Sequence, residues 1–380
     1  MWPYLAGSIL IAYMASVKVY KIWYIVTAAV LLVSPLFVRI SWLGLRDFLE
    51  DAKWFILYWI AVALSVVFSI NPARSQTALM ADAIYPCVFL IFYTVAICSA
   101  YDSIERMMRL LVWAAVLVLL INFDAKLQGQ NGHWIGFVLP YVVPFVVSAI
   151  CRGNRLAIAE LMILASLVLL TNSRAQVGVT FLVSVASFVA FSKSIRQLLA
   201  LSTISVLGCV AFVGALAQIH TARNILLVTV ARLTGLFAEE GERPFGIPIA
   251  DPTRGRINDL FWSMFGDGGW TGIGYFAFGP IYVAHYDGYA DMSLHSIYQV
   301  WWLETGYLGT AAAAWMLIAF FVEMYRNRGN PAVRACALGM VGVLIAGNFH
   351  QMHQSPMFYV MLGLGLGAAR KLRLPAASEA

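Results

Sequence analysis

Twelve apolar runs succeed one another along this chain, at about 4–17, 22–38, 54–70, 81–99, 108–122, 134–151, 156–170, 177–192, 197–217, 304–325, 332–348 and 354–369. A helix needs about 20 apolar residues to cross the hydrocarbon core of a bilayer, and most of these runs come close to that length. Only 12% of the 380 residues are charged and 61% are hydrophobic. A soluble domain carries roughly a quarter charged residues, so this chain has too few ionisable groups to coat a water-soluble surface. Globular cytosolic enzymes, disordered scaffolds and disulfide-rich secreted domains are excluded on that ground. The fold class that remains is all-α integral membrane, with about twelve transmembrane helices, the first of them the shortest.

The charges give an orientation. With both termini in the cytoplasm, fifteen Lys and Arg fall inside and ten outside, and five of those ten lie in one long loop. Short loops govern the positive-inside rule, and over them the balance is fifteen to five, with Lys18 and Lys21 the main dissent. The net charge of +6 follows from this bias and calls for no nucleic-acid partner. The five cysteines, Cys87, Cys98, Cys151, Cys209 and Cys336, lie in or beside apolar runs with no CxxC spacing. They read as small core residues rather than a disulfide framework or a zinc site. The start of the chain has neither the basic region nor the cleavage site of a signal peptide. The domain reading is 1–217 for helices one to nine, 218–295 for a large loop on the outer face, and 296–380 for helices ten to twelve and a short basic tail. Within the loop, 222–238 reads as a helix, Pro244 to Gly255 as turns, and the remainder as a Gly cluster with many aromatics. There is no internal repeat of the kind that marks many transporters.

Four outer segments carry candidate chemistry. In Thr171-Asn172-Ser173-Arg174-Ala175-Gln176, Arg174 either snorkels to lipid headgroups or grips a phosphate or carboxylate bidentately. In Thr253-Arg254-Gly255-Arg256-Ile257-Asn258-Asp259, Arg254 and Arg256 form either a solvated turn with a local Arg–Asp pair or a second anion clamp. The cluster from Gly266 to Ala277 contains a GxGxxA match, but no strand precedes it and no βαβ unit surrounds it, so a dinucleotide site is rejected in favour of tight turns. The segment from Ser293 to Gly309 holds His295 at the water boundary and Glu304 deeper. On one regular helix, nine residues at about 100° each set His295 and Glu304 on opposite faces, while Gln299 shares the face of His295. His295 suits a general base because its ordinary pKa lies near working pH. An acid inside a membrane is functional or tightly structural, and Glu304 is assigned to helix packing. His350 and His353 share an outer turn and with His295 allow a three-His metal site, but no acidic ligand stands beside them, so they read as cavity lining and no metal or other cofactor is assigned.

Taken together these segments resemble the bacterial O-antigen ligase and O-antigen polymerase family of integral-membrane glycosyltransferases. The resemblance rests on Ser173-Arg174, on Gly255-Arg256 followed by Gly272-Ile273-Gly274, and on His295 leading to Glu304-Thr305-Gly306-Tyr307-Leu308-Gly309. It covers about residues 155–370. Ser296 stands where the family has Asn, and the spacing around the loop Arg leaves Arg254 and Arg256 as alternatives for the family's Arg. The resemblance implies a bacterial inner membrane, an active site that faces the periplasm, as the large periplasmic loop between helices nine and ten does, and a glycan donor on undecaprenyl diphosphate. It also implies a sugar hydroxyl on a glycan or lipid-linked acceptor, and transfer without metal. The residues fit that scheme: Arg174 with Arg254 or Arg256 stabilises the diphosphate, His295 acts as base, and Gln299 and Glu304 support it. The alternative is a transporter or flippase of an amphiphilic lipid-linked substrate, with the Arg residues and Glu304 along its path.

Overall fold

The computed structural model describes residues 1–15, 22–34, 42–121, 133–171, 173–216, 218, 252–286, 292–350 and 352–374. Every regular element among them is helical. The first helices are α1 (Trp2–Ala15), α2 (Ile22–Val33), α3 (Trp42–Val67), α4 (Pro72–Asp82), α5 (Ile84–Cys98) and α6 (Tyr101–Ile121). They are followed by α7 (His133–Gly136), α8 (Leu139–Cys151), α9 (Leu156–Leu170), α10 (Arg174–Phe191) and α11 (Ile195–Leu216). Then come α12 (Pro252–Ser263), α13 (Phe278–His285), the single turn α14 (Ile297–Gln299) running into a π-helical turn Val300–Glu304, α15 (Gly306–Arg326), α16 (Pro331–Ala346) and α17 (Pro356–Arg373). A helix occupies each of the twelve apolar runs. Among the described residues two stretches, Pro72–Cys98 and Gly306–Arg326, are long and apolar enough to cross a membrane, and shorter apolar helices make up most of the rest. The segment 222–238 lies outside the described residues. The turn expected up to Gly255 is corrected, because Pro252 opens α12 and Gly255 lies within that helix. Proline suits the first helical position, where its missing N–H would have no partner.

Three helix starts use the same device. Asn71-Pro72, Asn330-Pro331 and Ser355-Pro356 each place a capping side chain before a proline. The Asn330 side chain accepts from the amides of Ala332 at 2.8 Å and Val333 at 3.4 Å. Such caps satisfy amide groups that the helix itself leaves unpaired.

The centre of the bundle is built by helices buried on every face. All residues of α8, and α17 from Pro356 to Ala369, are buried. Helix α17 packs most extensively on α5, and glycine makes that approach possible. A Cβ on Gly363 would sit 2.6 Å from the Phe89 carbonyl oxygen, and one on Gly367 would sit 2.4 Å from that of Tyr93. In lipid, helices associate by close packing rather than by hydrophobic burial, which favours small residues at the contact. Cys151 and Cys336 are buried as expected, but Cys98 is exposed and Cys87 half-buried; these two lie off the packed faces of α5, a correction to their reading as core residues.

At the end of the bundle where α17 finishes, charges are paired across helices. Arg370 and Arg373 of α17 meet Asp47 and Asp51 of α3, and Arg373 also reaches Glu323 of α15 at 3.2 Å. Lys371 donates to the Ser99 carbonyl at 2.7 Å. Immediately beyond Ser99, α6 carries a second network. Arg109 forks onto Glu160 of α9 at 2.5 and 3.0 Å, and Arg152 bridges Asp102 and Glu105. A buried bidentate pair is costly to break from one side, because the remaining charge is left without a partner.

The Gly363 and Gly367 contacts yield a direct test. Gly367→Ala should lower the thermal unfolding midpoint of detergent-purified protein, at a cost of about 1–3 kcal/mol for an overpacked contact. Gly214→Ala, inside α11 where an added Cβ meets nothing within 4 Å, should not lower the midpoint, since alanine favours a helix over glycine.

Candidate active site

Opposite the ionic end, the Gly-rich segment and the stretch from His295 to Gly309 fold as one unit. The expectation of one regular helix from Ser293 into the tenth span is corrected. Ser296 is extended, and its side chain accepts from the Tyr298 amide as a cap. The helix starts at Ile297, widens into the π turn at Val300–Glu304, and breaks at Gly306, where φ is +65°. His295 therefore precedes the helix, and the opposite-face and same-face relations drawn on a regular helix do not apply.

The π turn is held by backbone pairing with the Gly cluster. Ile273 N donates to the Leu303 carbonyl at 2.9 Å and Gly274 N to that of Glu304 at 3.2 Å. On the far side of the break, Tyr307 N donates to Gly269 at 3.0 Å and Leu308 N to Trp270 at 3.1 Å. Two glycines admit this approach. Gly272 has φ +79°, and a Cβ there would lie 2.2 Å from the Glu304 carbonyl oxygen; a Cβ on Gly306 would lie 2.3 Å from Gly272 N. The tight turns read from the glycines are thus present, and their purpose is to let two backbones touch.

Glu304 closes the unit. It is 1% exposed. Its Oε2 accepts from Phe276 N at 3.1 Å and its Oε1 from Phe278 N at 3.4 Å. Phe276 has φ +60°, a left-handed conformation that bulky residues rarely adopt, and its carbonyl accepts from Arg74 Nε at 2.8 Å. Glu304 is a clamp on the backbone.

His295 opens on a cavity of about 260 Å³, lined also by Tyr13, Phe137, Ser293, His350, Met352, Gln354 and Ser355. The cavity gathers α1, the start of α8 and the turn before α17. His350 does share it with His295, its ring set edge-on to Phe137 at 5.0 Å; the His353 side chain lies outside the described residues. The Tyr141 hydroxyl contacts the Met352 sulfur at 3.7 Å and Gln176 Oε1 at 3.5 Å. Gln176 is in the first turn of α10, so the helix that begins with Arg174 starts beside the cavity wall; the Arg174 side chain itself lies outside the described residues. A larger cavity of about 340 Å³ lies at the ionic end between α3, α15 and α17, and none of the motif residues line it.

Helix α12 brings the second Arg pair to the same end. Gln299 Nε2 donates to Asn258 Oδ1 at 2.9 Å, which joins α14 to α12. Arg254 lies one turn before Asn258 and shares its face, whereas Arg256, two residues on from Arg254, points to the other side. The Arg256 carbonyl accepts from the Tyr286 hydroxyl at 3.4 Å. Both Arg254 and Arg256 are half-buried.

Residues 159–314 match the model of a family described as O-antigen ligase. Over that segment, about two fifths of the chain, the sequence is similar to the O-antigen ligase family. The matched segment includes Arg174, Arg254, Arg256, His295, Gln299 and Glu304, and it ends within α15. Comparison with curated proteins finds no match. Outside the family segment, the sequence reading missed Asp82, which is 3% exposed and takes the Tyr275 hydroxyl at 2.5 Å. Its signal was present, since an acid at the start of an apolar run demands a partner.

The clamp role of Glu304 can be separated from chemistry. In Glu304→Gln one backbone amide would face an NH₂ group and lose its acceptor, at about 1–3 kcal/mol. The unfolding midpoint should fall, while protein that remains folded should retain its activity within a few-fold. Loss of activity with an unchanged midpoint would remove Glu304 from this role.

Proposed function

We propose that the protein is a membrane glycosyltransferase that moves a glycan from a polyprenyl diphosphate, undecaprenyl diphosphate in a bacterial membrane, onto a sugar hydroxyl at the outer, periplasmic face. The observation that carries this reading is the cavity of His295. It is polar and aromatic, it takes Ser293 and His295 from the segment that matches the O-antigen ligase family, and it sits at the end of the bundle where α10 and α12 begin. His295 takes the proton of the acceptor hydroxyl as that oxygen attacks the anomeric carbon. The bond from that carbon to the phosphate oxygen breaks, and polyprenyl diphosphate leaves with the electron pair. Arg174 and Arg254 stabilise the charge on the leaving diphosphate, and Arg254 is preferred to Arg256 because it lies on the face of α12 that meets α14. Gln299 holds that pairing through Asn258. The acceptor is a lipopolysaccharide core sugar in a ligase or the end of a growing chain in a polymerase.

Twelve spans with both termini in the cytoplasm remain the proposed topology. Trp262, Phe265 and Trp302 form a stacked aromatic group near the Gly cluster, as suits a membrane–water interface. A transporter would have to open the opposite end, and the cross-helix ion pairs of α3, α6, α9, α15 and α17 there oppose such a path. Labelling of single cysteines placed in 252–286 should succeed from outside intact cells and fail at position 106 or 193. Labelling of 252–286 only after permeabilisation would overturn the outer site.

In purified protein supplied with lipid-linked donor, His295→Ala should reduce transfer by on the order of 10²–10⁴-fold while donor binding persists. Arg254→Ala should weaken donor use far more than Arg256→Ala, and Arg174→Lys should recover only part of the loss of Arg174→Ala, since a point charge replaces a fork. Wild-type turnover by His295→Ala would end the assignment.

A further inference from the structure

One wall of the His295 cavity has its chemistry set from behind. Gln354 lines the cavity, and its Nε2 donates to Oδ2 of Asp82 at 3.3 Å. Asp82 does not line the cavity. Its Oδ2 also accepts from the Tyr275 hydroxyl, so the position of the carboxylate is fixed by the Gly-rich unit. A carboxylate only accepts hydrogen bonds. It therefore takes the NH₂ end of the Gln354 amide and leaves the carbonyl oxygen for the cavity. That oxygen has no hydrogen-bond partner among the described residues. The Gln354 backbone is fixed as well. The Tyr85 hydroxyl donates to its carbonyl, and Ser355 caps α17 immediately after it.

An oriented amide carbonyl beside a histidine, in a cavity that also presents Tyr13 and Phe137, suits a polyhydroxylated ring. The carbonyl takes a ring hydroxyl, and the aromatic residues cover the apolar C–H face. We propose that the Gln354 side-chain carbonyl, aimed by Asp82, binds a hydroxyl of the acceptor sugar next to His295. This rests on the glycosyl-transfer reading. Gln354 touches the acceptor, and Asp82 is a positioning residue that acts through it. An amide in place of the Asp82 carboxylate could donate as well as accept, and the Gln354 amide would no longer be held in one orientation.

The test separates binding from turnover. Methyl glycosides of glucose, galactose and N-acetylglucosamine are titrated onto donor-free protein and followed by tryptophan fluorescence. At least one should bind saturably to the wild type, and Asp82→Asn should weaken it by about tenfold, the loss of one hydrogen bond. Gln354→Leu, which leaves Asp82 its bond to Tyr275, should do the same, and it carries the test if Asp82→Asn does not fold. The double variant should be no weaker than either single variant, because both remove one contact. In transfer assays the acceptor KM should rise by a similar factor, with kcat and the donor KM within about threefold of wild type. Saturable binding of none of the glycosides, equal affinity in wild type and the variants, additive losses, or a fall in kcat at unchanged acceptor KM would each overturn the proposal. Glycoside binding that depends on Gln354 in a protein that transfers no glycan would instead overturn the glycosyl-transfer reading and leave the sugar site standing.

Discussion

The carboxyl of Glu304, with one oxygen on the Phe276 amide and the other on that of Phe278, fixes how the outer segment meets the bundle. Around it the Gly cluster pairs with the π turn, and Gly272 and Gly306, both at positive φ, lack the Cβ atoms that would hold the two backbones apart. Arg74 secures Phe276 from the opposite side through its carbonyl, and Tyr275, one residue earlier, carries the constraint to Asp82. A loop attached in this way can place functional groups with the precision of a helix, since its backbone polar groups are satisfied by the element it serves.

That constraint explains why so few residues near the cavity need to be catalytic. Glycines and a glutamate that look like a reactive motif in the chain supply rigidity, and the proposed binding and catalytic roles fall to His295, Gln354 and the Arg residues of α10 and α12. The two ends of the bundle then differ in kind. At the end of α17, acids and bases pair across five helices, beside a cavity that none of the motif residues line. At its start, polar groups surround a cavity. Such an asymmetry suits chemistry performed from one side of a membrane.

The sequence was explicit wherever a local rule applied. Apolar runs marked the helices because lipid leaves the backbone no partner outside itself. Ser173-Arg174 was placed at a boundary, and α10 does begin at Arg174. Local rules failed where distant segments decide. The regular helix drawn through His295 and Glu304 gave way to a π turn because the Gly cluster, some 30 residues earlier, pairs with its carbonyls. The turn drawn through Gly255 became part of α12, although glycine weakens a helix locally.

What the sequence determined by itself was an all-helical membrane class, a helix in each apolar run and the residue types able to grip a phosphate or accept a proton. These follow from periodicity, hydropathy and side-chain chemistry, which need only neighbours in the chain. Tertiary structure alone decided that Glu304 clamps two amides, that Arg254 rather than Arg256 shares the face of Asn258, and that Asp82 orients Gln354 across 272 positions of chain. The clamp, the Asn258 bond to Gln299 that gives the Arg254 face its neighbour, and the Asp82 contact are hydrogen bonds between segments remote in sequence, and the geometry of such a contact exists only once the helices have packed.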